Sequence, residues 1–270
     1  MEIKAAPGSV SHDSILLTHG APTARAYLLL HGLTASPLQF EAFGRILFER
    51  GANVYIPRLP RHGLADRLTT ELEHLTAAEL LEFAGRAAAY AATLGTQLGV
   101  VGFSVGGLLS AWIAQHVAVE RATCIAPFLG LSWLPGILTG RAATFALALP
   151  NQFWWWDPVR RERLLPVHGY PRFATHAVAH AARVGHELLA DARRHGPSAR
   201  HVQIVVNASE STVNNRAARR LAAAWAGNRP DDVVLHRLEG LPASHDIIEP
   251  LRSPDIVRRV YPALLELVDR

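Results

Sequence analysis

The sequence predicts an α/β protein with a doubly wound, mostly parallel sheet and helices on both faces. Short apolar runs, such as residues 26–30 and 97–101, are continuous rather than alternating, as expected for strands that are covered on both sides. Helical segments with their own start signals separate these runs, and this alternation is typical of a parallel sheet. The alternation stops at about residue 130 and resumes at about residue 199, which indicates an insertion.

The first half of the chain alternates strands with helices. Strands are predicted at residues 14–18, 26–30, 53–57, 97–101 and 121–127. Ser36 and Gln39 have the spacing of a capping box, which predicts a helix that stops at Gly51, because glycine is common just beyond a helix. A second capping box at residues 76–79 starts an Ala-rich helix that is expected to end near Leu94.

The second half of the chain contains the interruption. Between residues 130 and 198 the strand signals vanish, although aromatic residues crowd into positions 153–156 and a helix is predicted at 175–190. The regular order then resumes with a strand at 201–206, a helix at 214–226, a strand at 232–238 and a helix at 254–268. The interruption therefore follows the strand that ends near Pro127.

The centre of the chain carries the segment Gly102-Phe103-Ser104-Val105-Gly106 between a predicted strand and a predicted helix. The pattern G-x-S-x-G in this position is a nucleophile elbow, a sharp turn that exposes the serine hydroxyl. Strand and helix pass so close at Ser104 that side chains at the flanking glycine positions would clash. The turn also strains the backbone of the serine, and such strain tends to mark a functional site. Ser104 is therefore the candidate nucleophile.

Composition excludes several classes of protein. With 49% hydrophobic and 19% charged residues, the 270-residue chain can bury a large core. The net charge of +4 comes from scattered arginines with no basic run among aromatic residues, so no nucleic-acid partner is predicted. The single cysteine, Cys124, lies in an apolar run and cannot form an internal disulfide. Residues 1–7 lack the apolar segment of a signal peptide, and no run of about 18 apolar residues could span a membrane, so the default expectation is a soluble cytoplasmic protein.

With these motifs in order, the chain resembles the α/β-hydrolase fold superfamily, and more narrowly the bacterial carboxylesterases and monoacylglycerol lipases of that fold. The resemblance covers nearly the whole chain. It rests on residues 31–34 after an early strand, the elbow at 102–106, the insertion, a carboxylate after a late strand, and His245 near the end. The chain order serine, acid, histidine is that of the α/β-hydrolases.

The resemblance implies a domain organisation and an oxyanion hole. Residues 1–129 and 199–270 are expected to form the α/β-hydrolase core, and residues 130–198 are expected to form a lid over the active site. By the family's geometry, the backbone N–H groups of Leu33 and Val105 stabilise the negative oxygen that forms during the reaction.

His245 is the candidate general base. A serine hydroxyl is a poor nucleophile until a base takes its proton, and imidazole suits this task because its ordinary pKa lies near neutrality. His245 lies in a predicted loop between the last strand and the last helix, where the family carries its histidine. His176 and His180 are four residues apart on a predicted helix, but no glutamate accompanies them in a metalloprotease pattern. We therefore predict neither a metal ion nor a cofactor.

The acid is where the sequence departs from the family's pattern. The family usually has an aspartate in the loop after the late strand, three residues before a valine, and this chain has Glu210 at that position. Ser-His-Glu triads are a recognised variant. Asp246 is a weaker candidate because it directly follows His245, and adjacent side chains in a loop rarely meet. Asp231 and Asp232 precede the last strand, at the wrong end of the sheet.

The aromatic run Trp154, Trp155 and Trp156 has two interpretations. At least one of these rings is expected to pack the lid onto the core. Others are expected to line a pocket for an acyl or aromatic group, since binding pockets are mostly apolar. All three are therefore candidates for substrate binding.

The resemblance implies a serine hydrolase that cleaves small-molecule carboxylic esters through an acyl-enzyme on Ser104. Thioesters, lactones and C–C bonds are alternative substrates within the same fold. A non-catalytic ligand-binding protein is the alternative from another class, because one fold can host both. The presence of Ser104, Glu210 and His245 in the family's order favours the enzyme. The sequence makes no prediction about oligomeric state.

Overall fold

The fold is built on a seven-stranded sheet. The computed structural model describes residues 10–163, 168–228 and 232–269, so the predictions for residues 1–7 and for Asp231 concern positions outside the described residues. The described strands are β1 Ile15–Leu17, β2 Thr23–Leu30, β3 Asn53–Ile56, β4 Gly95–Phe103, β5 Arg121–Ile125, β6 Phe153–Trp155, β7 Arg172–Ala174, β8 His201–Asn207 and β9 Val233–Leu238. The main sheet has the order β1-β3-β2-β4-β5-β8-β9.

The strand pairing confirms the predicted fold class. The edge strand β1 pairs antiparallel with β3, and the other pairs in this sheet are parallel. In β2, the side chains of Leu28, Leu29 and Leu30 are all buried, which explains why this strand reads as a continuous apolar run. The carboxyl ends of the parallel strands meet at one edge of the sheet, which is where ligands bind in open α/β sheets.

Helices flank the main sheet. The described helices are α1 Leu38–Glu49, α2 Ala77–Ala92, α3 Val105–His116, α4 Thr139–Ala148, α5 Thr175–Ala192, α6 Asn215–Ala226 and α7 Pro254–Asp269. Helices α1 and α7 meet through Phe43 and Tyr261, whose ring centroids are 5.2 Å apart. In a second layer, α2, α3, α5 and α6 each contact the next. None of the helices within the described residues is long and apolar enough to span a membrane.

The start of α1 differs from the prediction. The capping box predicted at Ser36 and Gln39 is wrong, because neither side chain caps the helix. Oγ of Ser36 lies 2.9 Å from Nδ1 of His168, and Gln39 bonds to two loops near the carboxyl edge of the sheet. The capping box at residues 76–79 is confirmed in its Thr76 half, because the Thr76 side chain accepts a hydrogen bond from the N–H of Glu79 at the start of α2, whereas the Glu79 carboxylate pairs with Arg61. Gly51 has a φ of 88° just beyond α1, as predicted.

The inserted segment contains strands that the sequence analysis did not predict. Strands β6 and β7 form a two-stranded antiparallel sheet, so the prediction of no strands between residues 130 and 198 is wrong. Each of these strands has only three residues, too few to show a periodic pattern. The helix predicted at 175–190 is confirmed as α5, which contacts α4 on one side and the core helices α2, α3 and α6 on another. The lid boundaries at residues 130 and 198 stay a prediction.

Candidate active site

Ser104 lies at the sharp turn between β4 and α3, with a φ of 57° and a ψ of −115°. A positive φ is strained for a residue that carries a side chain. A Cβ atom on Gly102 would lie 2.0 Å from the carbonyl oxygen of Gly106, and a Cβ atom on Gly106 would lie 1.9 Å from that of Leu30. Both obstacles are main-chain atoms, so the close approach of strand and helix requires glycine on each side of the serine.

Two hydrogen bonds connect Ser104, His245 and Glu210. Nε2 of His245 lies 2.8 Å from Oγ of Ser104, and Nδ1 lies 2.8 Å from Oε2 of Glu210. The three residues follow the carboxyl ends of β4, β8 and β9, which the sheet brings to one edge. Since a carboxylate only accepts, Nδ1–H donates to Glu210 and leaves Nε2 free to accept the serine proton.

The carboxylate of Glu210 is fully enclosed, with its side chain 0% exposed. Oε2 faces His245, while Oε1 accepts hydrogen bonds from the N–H groups of Thr212 at 2.6 Å and Val213 at 3.4 Å. Burial by itself raises the pKa of this carboxyl group. The hydrogen bond and charge interaction with His245, together with the two N–H groups, outweigh burial and leave the pKa lowered from its ordinary value. Glu210 is therefore held as a carboxylate beside the imidazole.

Asp246, the next residue in the chain, faces away from His245. One of its carboxylate oxygens accepts a hydrogen bond from Nε2 of Gln39 at 2.9 Å. The other accepts hydrogen bonds from the backbone N–H groups of Ile248 and Glu249. Both oxygens of Asp246 are therefore occupied by groups other than the imidazole.

Asp232 is also separated from the site. It precedes β9 at the opposite edge of the sheet, where one carboxylate oxygen lies 3.6 Å from Nδ1 of His201. Asp231 lies outside the described residues. Of the candidate acids within the described residues, Glu210 is the one that the structure brings to the imidazole.

The loop after β2 presents the backbone N–H of Leu33. The carbonyl oxygen of Gly32 accepts hydrogen bonds from Nδ1 of His31 at 2.9 Å and from the N–H of Ala35 at 3.2 Å. Because the C=O and N–H of a trans peptide point in opposite directions, these bonds turn the Leu33 N–H away from both donors. Leu33 and Val105 line the same cavity as the serine, and neither N–H donates to an acceptor in the described part of the chain.

Two buried histidines, both with neutral imidazole rings, hold this loop in place. Nε2 of His31 accepts a hydrogen bond from the N–H of Leu59 at 3.1 Å, and Nε2 of His62 accepts one from the N–H of Thr34 at 3.0 Å. An imidazolium could not accept either bond. Burial and the neighbouring His62 ring lower the pKa of His31 well below its ordinary value, and burial lowers the pKa of His62 to about 4.

The serine hydroxyl faces a cavity of about 640 Å³. Much of its lining is apolar and comes from the core and the insertion alike, as in Phe128, Leu131, Ala143, Ala146, Phe173 and Val178. Trp154 and Trp156 line the cavity, whereas Trp155 lies on the other face of the strand, with the guanidinium carbon of Arg161 6.0 Å from its ring centre. Successive side chains of a strand point to opposite faces, which explains the separation of the three tryptophans.

The histidines of α5 were weighed from the sequence as metal ligands, and His176 instead makes a contact within the insertion. Nε2 of His176 lies 2.8 Å from the carbonyl oxygen of Leu149, so this ring fastens the start of α5 to the residue after α4. In the part of the chain that the structure describes, no three His, Cys, Asp or Glu side chains are grouped to hold a metal ion.

Two polar residues near the site were not predicted from the sequence, Gln39 and Asn207. Nδ2 of Asn207 donates to the carbonyl oxygens of Pro242 at 2.9 Å and Ser244 at 3.1 Å, which ties the end of β8, just before Glu210, to the loop after β9 that carries His245. The available signal for Asn207 was a polar residue at the carboxyl end of an apolar strand, where sheet residues approach the ligand. The signal for Gln39 was present but was interpreted as a helix cap.

The parallel sheet, the elbow and the chain order Ser104, Glu210, His245 define the class of protein as one with the α/β-hydrolase fold. A model of the alpha/beta hydrolase family matches residues 27–260. The chain belongs to this family.

Several solved structures have the same fold. A structure reported for the metagenome-derived lipolytic enzymes LipS and LipT matches with a TM-score of 0.70 and 16% identity, over 97% of this chain and 99% of that chain. A monoacylglycerol lipase from Paleococcus ferrophilus matches with a TM-score of 0.71 and 17% identity, over 94% and 97%. A soluble variant of the Saccharomyces cerevisiae monoglyceride lipase, bound to a substrate analogue, matches with a TM-score of 0.69 and 14% identity, over 95% and 90%. No curated protein sequence matches the chain.

Proposed function

We propose that the protein is a serine hydrolase that cleaves carboxylic esters through an acyl-enzyme on Ser104. The observation that carries this proposal is the unbroken line of hydrogen bonds from Glu210 through His245 to Ser104. A nucleophile within reach of a base, with the base oriented by a third group, is the arrangement that activates a hydroxyl group.

The acylation step uses each member of the site once. Nε2 of His245 takes the proton of Ser104 as Oγ attacks the ester carbonyl carbon, and the carbonyl oxygen becomes negatively charged. The N–H groups of Leu33 and Val105 stabilise this oxygen, and the positive end of α3 adds to their effect. Glu210 stabilises the imidazolium through Nδ1–H. The imidazolium then gives its proton to the leaving alcohol, and the acyl group remains on Ser104.

Deacylation repeats these roles with water as the nucleophile. His245 takes a proton from the water molecule as its oxygen attacks the acyl carbon. The imidazolium returns that proton to Oγ of Ser104 when the bond to the serine breaks. One carboxylic acid is released, and the starting protonation state is restored.

The apolar cavity supports the proposal of an ester with an apolar acyl or alcohol part, since moving such a group from water into the cavity lowers the free energy. The structural likeness to a lipolytic enzyme and to two monoacylglycerol lipases supports carboxylic esters as the substrate class. In this proposal residues 130–198 act as a lid, and its tryptophans help to select the acyl chain.

The proposal is tested with p-nitrophenyl esters of increasing acyl length, together with labelling by a fluorophosphonate. The wild-type protein should hydrolyse at least part of the series and take up the label. Ser104→Ala should abolish the label and lower kcat by about 10⁴-fold or more. Ser110→Ala is the matched control, because Ser110 is a buried serine on α3, the helix that follows Ser104, and its loss should leave both readouts unchanged.

Two results would overturn the assignment. One is a wild-type protein that is inactive on every ester and takes up no label. The other is a Ser104→Ala variant that keeps most of its turnover. Activity on thioesters or lactones alone would keep Ser104 as the nucleophile and replace the substrate class.

A further inference from the structure

We propose that Gln39 and Asp246 form a positioning bridge that holds two loops in a fixed relation during catalysis. The first loop is residues 31–37 after β2, called the oxyanion loop for its proposed role, and the second is residues 239–253 after β9, called the histidine loop. The bridge rests on the function proposed above, and it gives a role to two residues outside the triad. Neither residue is proposed to contact the reacting atoms.

One side chain spans the two loops. Oε1 of Gln39 accepts a hydrogen bond from the N–H of Gly32 at 2.8 Å, and Nε2 donates to Oδ2 of Asp246 at 2.9 Å. Gly32 directly precedes Leu33, whose N–H faces the cavity in the proposed mechanism. Asp246 directly follows His245. The bridge therefore ends one residue from an oxyanion donor and one residue from the base.

The bridge has a single hydrogen-bonding orientation. The Gly32 N–H can only donate, so it selects the amide oxygen of Gln39, and the carboxylate of Asp246 can only accept, so it selects the amide nitrogen. The second oxygen of Asp246 accepts hydrogen bonds from the N–H groups of Ile248 and Glu249. Each of these buried polar groups is thus paired, which offsets the cost of removing a carboxylate from water.

The sheet alone does not hold these two loops together. The oxyanion loop follows β2 and the histidine loop follows β9, and three strands, β4, β5 and β8, lie between them in the sheet. Strand pairing therefore fixes each loop only at its own end. A misplacement of 1 Å in a catalytic site can lower the rate by about 10²-fold, so a direct contact between the loops has a clear catalytic use.

The test is a charge swap across the bridge. Gln39→Glu sets two carboxylates against each other at hydrogen-bond distance, and should lower kcat by about 10-fold to 10²-fold with little change in KM. Asp246→Asn replaces one of the two accepting oxygens with an NH₂ group, which can only donate. This NH₂ group must then face either the NH₂ group of Gln39 or the two backbone N–H groups, so one set of hydrogen bonds is lost. This variant should lower kcat in the same range.

The double variant Gln39→Glu/Asp246→Asn restores every contact. The introduced amide donates to the introduced carboxylate, and its oxygen still accepts from the N–H groups of Ile248 and Glu249. The second oxygen of the introduced carboxylate still accepts from the N–H of Gly32. Most of the lost kcat should therefore return, a rescue that loss of a side chain's bulk cannot explain.

Gln115→Glu is the matched control. Gln115 is a buried glutamine on α3 whose Nε2 faces the carbonyl oxygens of His195 and Gly196, away from the loops of the site. This change should lower the melting temperature without changing kcat per folded molecule. Melting curves and titration with the fluorophosphonate supply the folded, active fraction for every variant.

The outcomes separate the two proposals. An active wild type whose single variants lose only stability, as Gln115→Glu does, would overturn the bridge alone. The bridge would also be overturned if the kcat of the double variant were no higher than that of the less active single variant. A wild type that is inactive on every ester and unlabelled would overturn the proposed function and the bridge together.

Discussion

The carboxyl edge of the sheet and the insertion between β5 and β8 face each other across the cavity, yet they are built differently. At the edge, polar groups are buried and paired, as in the line from Glu210 to Ser104. In the insertion, large apolar side chains face solvent, with Trp133 73% exposed and Phe145 68% exposed. The edge is thus specified by hydrogen bonds of fixed direction, whereas the side chains that the insertion turns toward the cavity are mostly apolar, and apolar contacts have no direction.

This difference teaches which part of the molecule tolerates change. A reaction step needs atoms within a fraction of an ångström of their places, whereas an apolar chain can be held by many alternative surfaces. We therefore expect substitutions at the edge to stop the reaction, and substitutions in the insertion to change which ester reacts fastest.

The largest expected effect is that of Glu210→Gln at the edge. An amide can offer its oxygen to His245 or to the N–H groups of Thr212 and Val213, but not to both, so one donor must face another. By analogy with Asp→Asn in a protease triad, kcat should fall by about 10⁴-fold.

Steady-state kinetics on a p-nitrophenyl ester provide the measurement for Glu210→Gln. Asp232→Asn is the control, because Asp232 lies at the opposite edge of the sheet and should leave kcat near the wild-type value. If Asp232→Asn or Asp246→Asn lowered kcat more than Glu210→Gln, the proposed triad would have the wrong acid. The description of the carboxyl edge as specified by the line from Glu210 to Ser104 would then be wrong.

A second, smaller effect concerns acid stability at the edge. The pKa of the buried His62 is lowered to about 4, from an ordinary value near 6.5. Above pH 6.5 this histidine is neutral in the folded and the unfolded chain. Between pH 6.5 and 4 the unfolded chain binds a proton that the folded chain does not. The free energy of unfolding should therefore fall by about 3 kcal/mol over this window through His62 alone.

Urea unfolding at a series of pH values measures this effect. His62→Gln should be less stable at pH 7, and its stability should fall less steeply between pH 6.5 and 4. The control His116→Gln changes an exposed histidine and should keep the wild-type slope. An unchanged slope in His62→Gln would show that this ring does not carry the acid sensitivity of the fold.

The smallest expected effect lies in the insertion. Trp154 lines the cavity, so Trp154→Ala should lower kcat/KM for long acyl chains by about 10-fold, and should change kcat/KM for acetate esters much less. Trp155→Ala is the matched control, because this ring lies on the other face of β6 and should leave the preference unchanged. Equal loss on all esters in Trp154→Ala would point to a packing role instead.

Trp156 belongs to both regions. It lines the cavity, and its Nε1 donates to Oγ1 of Thr34 in the loop after β2 at 2.8 Å. Part of the effect of changing Trp156 should therefore appear on every ester. For this reason Trp154, rather than Trp156, gives the cleaner measure of chain selection.

The sequence predicted the edge better than the insertion. The elbow around Ser104 is a local pattern, and the order of strands brings the loops of Glu210 and His245 to the same side of the sheet. The elbow depends on backbone geometry, which neighbouring residues encode. Glu210 and His245 were assigned because they occupy the positions where the resembled family carries its acid and its histidine.

The failures have the opposite origin. Ser36 and Gln39 have the spacing of a capping box, but their partners His168 and Asp246 are more than 130 residues away, and no local pattern records them. Likewise, nothing in the run of tryptophans indicated a strand, because β6 depends on its pairing with β7 across the insertion. The side of the strand that each ring faces could therefore not be predicted.

The two glycines around Ser104 also have a consequence for protein engineering. The nearest atoms that a side chain would strike at Gly102 and Gly106 belong to the main chain, so no repacking of neighbouring side chains can make room. A mutant library that varies these positions should yield unfolded or inactive clones rather than new specificities. The half-exposed tryptophans across the cavity carry no such restriction. Selection for activity on a new ester should therefore yield clones with substitutions in the insertion, while the turn around Ser104 stays the same in every clone.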